Sequence, residues 1–125
     1  MTRLRQIYRC NVCGNVVEIL HEGAPDLHCC GEAMSRLDEK SQDTGLEKHV
    51  PVVEENTAGV LVKVGSVEHP MEEKHYIKFI EVLTADKVLR AELKPGMKPQ
   101  AVFPVKKSEI VLVREFCNIH MLWKA

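Results

Sequence analysis

The sequence predicts a mainly β protein in two parts: a small metal-binding unit, then a larger antiparallel sandwich or barrel. Three observations predict it. Four of the five cysteines, Cys10, Cys13, Cys29 and Cys30, crowd into the first thirty residues. From Leu46 onward, turn residues recur at short, even intervals: Pro51, Gly59, Gly65, Pro70, Pro95-Gly96, Pro99 and Pro104. Between them lie short runs rich in Val and Ile, the pattern of strands joined by tight turns.

The N-terminal unit covers residues 1–37 and opens on a C-x-x-C-G knuckle, Cys10-Asn11-Val12-Cys13-Gly14. Two residues between the thiols let both sulfurs face one ion. A following Gly adopts the positive φ that turns backbone N–H groups toward sulfur. The second pair, Cys29-Cys30-Gly31, is adjacent. Neighbouring cysteines cannot close the same relaxed chelate loop, so a site using both should be distorted. Apolar residues are scarce here (Ile7, Tyr8, Val16, Val17, Ile19, Leu20, Leu27). So short a unit buries little core, and a metal or a partner subunit must supply stability. Residues 16–21 read as a strand and 23–26 as a turn. The spacing alone leaves zinc and iron both open, since each accepts four thiolates.

Residues 38–45, DEKSQDTG, are polar and read as a linker or an exposed turn. In the larger unit, 38–125, strand candidates lie at 60–64, 76–83, 88–93, 101–105 and 110–116, the last being the strongest. Residues 71–75 allow a short helix. Trp123 can anchor the core.

Composition excludes several classes. Seventeen basic residues against eighteen acidic ones leave a net charge of -1 in 125 residues. That provides no strong field for nucleic acid or a membrane surface. No apolar run approaches the roughly 18 residues of a membrane span. The start, MTRLRQIYRC, lacks an apolar signal core, so a cytoplasmic location is expected. An odd number of cysteines without an export signal points away from a disulfide framework and toward metal or redox chemistry.

Four of the six histidines, His49, His69, His75 and His120, fall in the larger unit. The fifth cysteine stands beside the last of them, in Cys117-Asn118-Ile119-His120. That C-x-x-H places a thiolate and an imidazole on one turn, close enough to share an ion. A lone His in a β domain is usually a surface residue. Four in strand-edge or loop segments, with one thiolate, exceed what tetrahedral zinc needs. They suit iron, copper or zinc, and an octahedral metal would keep one position open for a small substrate.

With these residues in view, the sequence resembles the desulfoferrodoxins, two-iron superoxide reductases, over essentially its whole length. The resemblance rests on YRCNVCGNVVEIL and LHCCGEAM in the first unit, and on EKHVPVVE, VGSVEHPMEEKHYIKFIEV and FCNIHMLWK in the second. It implies a desulforedoxin-like ribbon followed by an immunoglobulin-like, seven-stranded sandwich, assembled as a homodimer. It implies that Cys10, Cys13, Cys29 and Cys30 hold one iron. It implies that His49, His69, His75 and His120 surround a second iron equatorially, with Cys117 axial. Lys48 would then attract superoxide, and Glu47 would occupy the sixth position of the resting ferric iron. A rubredoxin-like electron donor is also implied, with no nucleic-acid or membrane partner. Met121 departs from the family, which commonly has Gly after the last histidine. Backbone N–H groups of Asn118 and Ile119 are candidates to hydrogen-bond the Cys117 sulfur. Two other readings stay open, an iron electron carrier and a zinc-ribbon interaction module. His21 and His28 read as surface residues.

Overall fold

Regular alternation of inward and outward residues shapes the larger unit. Val60, Val62 and Val64 are fully buried, while Leu61 and Lys63 between them are less so. This is the period-two signature of a strand with one face on a core. The structure is a computed structural model that describes residues 1–42 and 48–125. Glu47 and the end of the polar stretch 38–45 lie outside the described residues. Packing divides the chain into two units, Met1–Asp38 and Glu39–Ala125.

The first unit is built from five very short strands: β1 (Ile7–Arg9), β2 (Val16–Glu18), β3 (His28–Cys29), β4 (Glu32–Ala33) and β5 (Ser35–Leu37). They form a three-stranded sheet, order β2-β1-β5, and a separate β3-β4 ribbon. The strand expected at 16–21 stops at Glu18. Beyond it the Ile19 N–H still bonds the Gln6 carbonyl in register, but the Ile19 carbonyl receives the Arg5 N–H, where Arg5 takes φ 70° and the ladder ends. Few residues of this unit are buried; Ile7, Cys10 and Ile19 are the buried hydrophobic ones. His21 and His28 are exposed.

The second unit contains seven strands among the described residues: β6 (Pro51–Asn56), β7 (Gly59–Val64), β8 (Ile77–Leu83), β9 (Val88–Glu92), β10 (Gln100–Phe103), β11 (Leu112–Cys117) and β12 (Met121–Lys124). They make two antiparallel sheets, β10-β7-β6 and β12-β11-β8-β9. The inner faces meet in a core of Val60, Val62, Val64, Ile77, Ile80, Val82, Val113 and Cys117, closed by Phe103 and Leu93. This is the immunoglobulin-like sandwich the sequence leads one to expect. On the opposite face of the larger sheet, Arg114 bonds Glu81 at 2.7 Å and Glu39 at 3.1 Å, with Arg90 also on Glu81.

The helix expected at 71–75 is absent. Glu72 and His75 exchange two N–H···O bonds of 3.0 Å, closing a tight loop through Glu73 and Lys74. Pro70 and the neighbouring β8 leave too few residues for a helical turn to repeat. Lys40, inside the polar stretch, lies alongside Trp123: its N–H bonds the Leu122 carbonyl, and its carbonyl receives the Lys124 N–H.

Two candidate metal centres

The first cluster is the four-cysteine set. The Cys10, Cys13, Cys29 and Cys30 sulfurs all lie within 4.8 Å of one another. The knuckle forms as its glycine requires: Gly14 has φ +84°, its N–H bonds the Cys10 carbonyl, and the Asn15 carbonyl receives the Cys10 N–H. The N–H groups of Val12 and Cys13 then point at the Cys10 sulfur, each at 3.4 Å. Adjacent residues of an extended chain face opposite ways. Cys30 overcomes this by taking φ 54°, and its sulfur comes to 3.9 Å from that of Cys29.

The electrostatics ask for a cation. The N–H groups of Cys13 and Val12 pull the Cys10 thiol down to about 6. The Cys13 thiol, with Cys29 and Cys10, pushes Cys30 up to about 12. One thiolate forms readily, and its negative charge then opposes the others until a positive ion lies among them.

The second cluster gathers at one end of the sandwich. One donor atom from each of His49, His69, His75 and Cys117 lies within 4.8 Å of all the others. His120 joins them: its Nδ1 is 3.0 Å from His49 Nε2 and 3.9 Å from the Cys117 sulfur. Three elements deliver these groups. His49 precedes β6, His69 and His75 bracket the loop before β8, and Cys117 and His120 flank the turn between β11 and β12. Lys48 is half-buried, and with His69, Met71 and Lys98 it lines a cleft of about 440 Å³. A larger cleft, about 620 Å³ and lined by Glu55, Gly59, Val105 and Lys107, contains none of the donors.

The donors are arranged for a metal. His69 is 2% exposed, and its Nδ1–H donates to the Pro70 carbonyl at 2.7 Å. That bond selects the tautomer whose Nε2 lone pair is free. His69 Nε2 and His75 Nε2 are buried without a hydrogen-bond partner, an arrangement that costs about 1–3 kcal/mol per group unless something else occupies them. Burial lowers His69 to about 4 and also lowers His75, helped there by the charges of His120 and Lys48. Both are therefore neutral ligands near pH 7. Burial raises the Cys117 thiol, while the N–H groups of His120 and Ile119 pull it back. The His120 N–H lies 3.4 Å from the sulfur. The Asn118 N–H does not serve this purpose; it bonds the Tyr76 carbonyl. Ile119 and His120, not Asn118 and Ile119, make the pair, because a sulfur at the start of a turn is reached by the residues that close it.

Trp123, read from the sequence as a core anchor, is buried beside the cluster. Its indole stacks on His49 with ring centres 4.6 Å apart and 15° between planes. Its Nε1–H donates to the His120 carbonyl at 3.0 Å. Lys40 covers the indole, with Nζ 5.3 Å from the ring centre. The spacing C-x-x-H-x-x-W carried this signal, since Trp123 follows His120 at a distance that a tight turn folds back. Met121 has φ 69°, in the left-handed region. Glycine would take that backbone conformation without the strain a side chain brings.

A sandwich with one thiolate-only centre in an appended ribbon and one imidazole–thiolate centre at its end defines a two-centre metalloprotein, with donor sets for two iron ions. The chain belongs to the desulfoferrodoxin family: Desulfoferrodoxin matches residues 41–125, and Desulfoferrodoxin, N-terminal domain, matches residues 2–37. A desulfoferrodoxin homolog of Methanothermobacter thermautotrophicus is 54% identical over 98% of this chain and 99% of its own. A superoxide reductase of Pyrococcus abyssi is 34% identical over 68% of this chain and 90% of its own. The crystal structure of the superoxide reductase from Treponema pallidum superposes with a TM-score of 0.79 at 28% identity, covering 96% of both chains.

Proposed function

We propose that this chain is a superoxide reductase. It converts superoxide, one electron and two protons to hydrogen peroxide, and no dioxygen forms. The observation that carries this reading is the convergence of four imidazoles and one thiolate at one end of the sandwich. The relatives that bear the name superoxide reductase support it. Iron, when bound by these five residues, supplies the single electron.

The chain's own residues prepare that transfer. Imidazole binds a metal as a neutral donor, so a divalent ion held by His49, His69, His75 and His120 with one thiolate would leave a net positive centre for an anionic substrate. The Ile119 and His120 N–H groups hold the Cys117 thiolate and limit its donor strength. Lys48, at the cleft beside His69, attracts superoxide and hydrogen-bonds the reduced oxygen species as negative charge builds. Glu47, next to Lys48 in the sequence, would offer a carboxylate to the centre, as its place in the family motif implies. The four-cysteine centre holds the ribbon unit together in place of a core. The protein works as a homodimer in the cytoplasm and is reduced by a rubredoxin-like donor. Five cysteines outside any disulfide fit such a reducing compartment.

The test is the product balance. Ferrous-loaded protein exposed to superoxide should yield one peroxide per superoxide without evolving dioxygen. Dioxygen release would indicate dismutation. Iron-loaded, coloured protein without reaction would indicate an electron carrier, and colourless, zinc-loaded protein an interaction module.

A further inference from the structure

We propose that Asn118 is a positioning residue that fixes His75 relative to Cys117, an assignment that rests on reading this cluster as the iron-holding centre. Asn118 directly follows Cys117. Its Oδ1 accepts the Tyr76 N–H at 2.8 Å, and its Nδ2 donates to the Lys74 carbonyl at 3.0 Å. Its own N–H donates to the Tyr76 carbonyl at 3.2 Å. Together these bonds grip the residues on both sides of His75. The orientation of the amide is dictated by chemistry, because a backbone N–H only donates and a backbone carbonyl only accepts.

The local fold shows why such a clamp is needed. The β8–β11 ladder slips between Phe116 and Cys117, and Cys117 pairs with Ile77, the first residue of β8. Regular pairing ends there, two residues short of His75. The His75 N–H and carbonyl are used inside their own loop, on Glu72. Other ties of the loop are at Met71, four residues before His75: its carbonyl takes the Gly96 N–H at 2.9 Å, and its sulfur, a weak acceptor, takes the Ile77 N–H at 3.4 Å. The Asn118 side chain is a peptide mimic that adds one rung beyond the bulge. His69 has a ring nitrogen anchored on the Pro70 carbonyl, whereas the buried His75 Nε2 has no hydrogen-bond partner among the described residues. His75 is therefore aimed through its backbone, and Asn118 holds that backbone to the thiolate-bearing turn.

The experiment compares the full wild-type chain with Asn118→Ala and Asn118→Asp, each loaded anaerobically with ferrous iron. Competition with a chelator reads the iron affinity of each centre. Alanine removes both side-chain bonds, and second-centre affinity should fall about 10–100-fold. Aspartate keeps the acceptor for Tyr76 but loses the donor to Lys74, and should fall between. The four-cysteine centre of the same chain should keep its iron. Both variants should alter the electron paramagnetic signature of the ferric second centre; alanine should speed amide exchange at Tyr76, while aspartate, which keeps that acceptor, should leave it close to wild type. Unchanged affinity and an unchanged ferric signature in Asn118→Ala overturn the assignment, whatever happens to thermal stability. If the alanine variant does not fold, the aspartate variant decides by the same two measurements. Wild-type protein that binds no iron at this cluster overturns the underlying reading together with the assignment. An unchanged variant beside an iron-binding wild type overturns the assignment alone.

Discussion

Replacing Lys48 by alanine should slow the reaction with superoxide about tenfold at low salt. Lys48 is half-buried at the cleft beside His69, and its charge is felt at His75. An anion in the cleft that Lys48 and His69 share is taken at about 6 Å from such a charge. With an effective dielectric of about 40, between the ~20 of surface pairs and the ~80 of water, the attraction is about 1.4 kcal/mol. That is a factor of ten in rate. The net charge of -1 supplies no competing long-range pull, so the local lysine should dominate. Pulse radiolysis at ionic strengths of about 0.01 M and about 0.5 M separates this from a packing effect, since the Debye length shrinks well below 10 Å across that range. The wild-type rate should fall with salt, the alanine variant should be nearly flat, and Lys48→Arg should stay close to wild type. A Lys48→Ala rate within twofold of wild type, with the same salt dependence, refutes the reasoning.

Three further outcomes follow from the packing. Cys13→Ser should empty the four-cysteine centre and loosen the ribbon while the sandwich still reduces superoxide; metal analysis with sedimentation and turnover checks this, and lost turnover in iron-replete sandwich would contradict it. Arg114→Met leaves the 1%-exposed Glu81 with one guanidinium fewer, and should cost about 3–5 kcal/mol in urea unfolding. A loss below about 1 kcal/mol would show that Arg90 alone suffices. Met121→Gly relieves a left-handed backbone worth about 1–2 kcal/mol but adds about 0.5–1 kcal/mol of chain entropy in the unfolded state. Its midpoint in urea should barely move or rise slightly, and a marked fall would mean that the Met121 side chain packs usefully.

The residues themselves nominated the chemistry. C-x-x-C-G, CC-G and C-x-x-H name their donors through short spacings, and short spacings constrain geometry locally. Strand positions were legible for the same reason: Val60, Val62 and Val64 state their buried face in period two. What failed was set by hydrogen-bond pairing, local in one case and distant in the other. Residues 71–75 allow a short helix in isolation, but pairing between Glu72 and His75 and the nearby start of β8 make them a loop. The Asn118 N–H looked available to sulfur until Tyr76, 42 residues away, claimed the Asn118 side chain and backbone.

By itself, then, the sequence determined a mainly β chain, a ribbon too small to stand without metal, and a list of nine donor side chains. Only the tertiary structure decided that His49 and His120, 71 residues apart, face each other at 3.0 Å. It also decided that Trp123 stacks on one and holds the carbonyl of the other. Local spacing sets which atoms a turn brings together. The meeting of three separate segments at one end of a sandwich depends on sheet register, and a single slip between Phe116 and Cys117 is enough to redirect it.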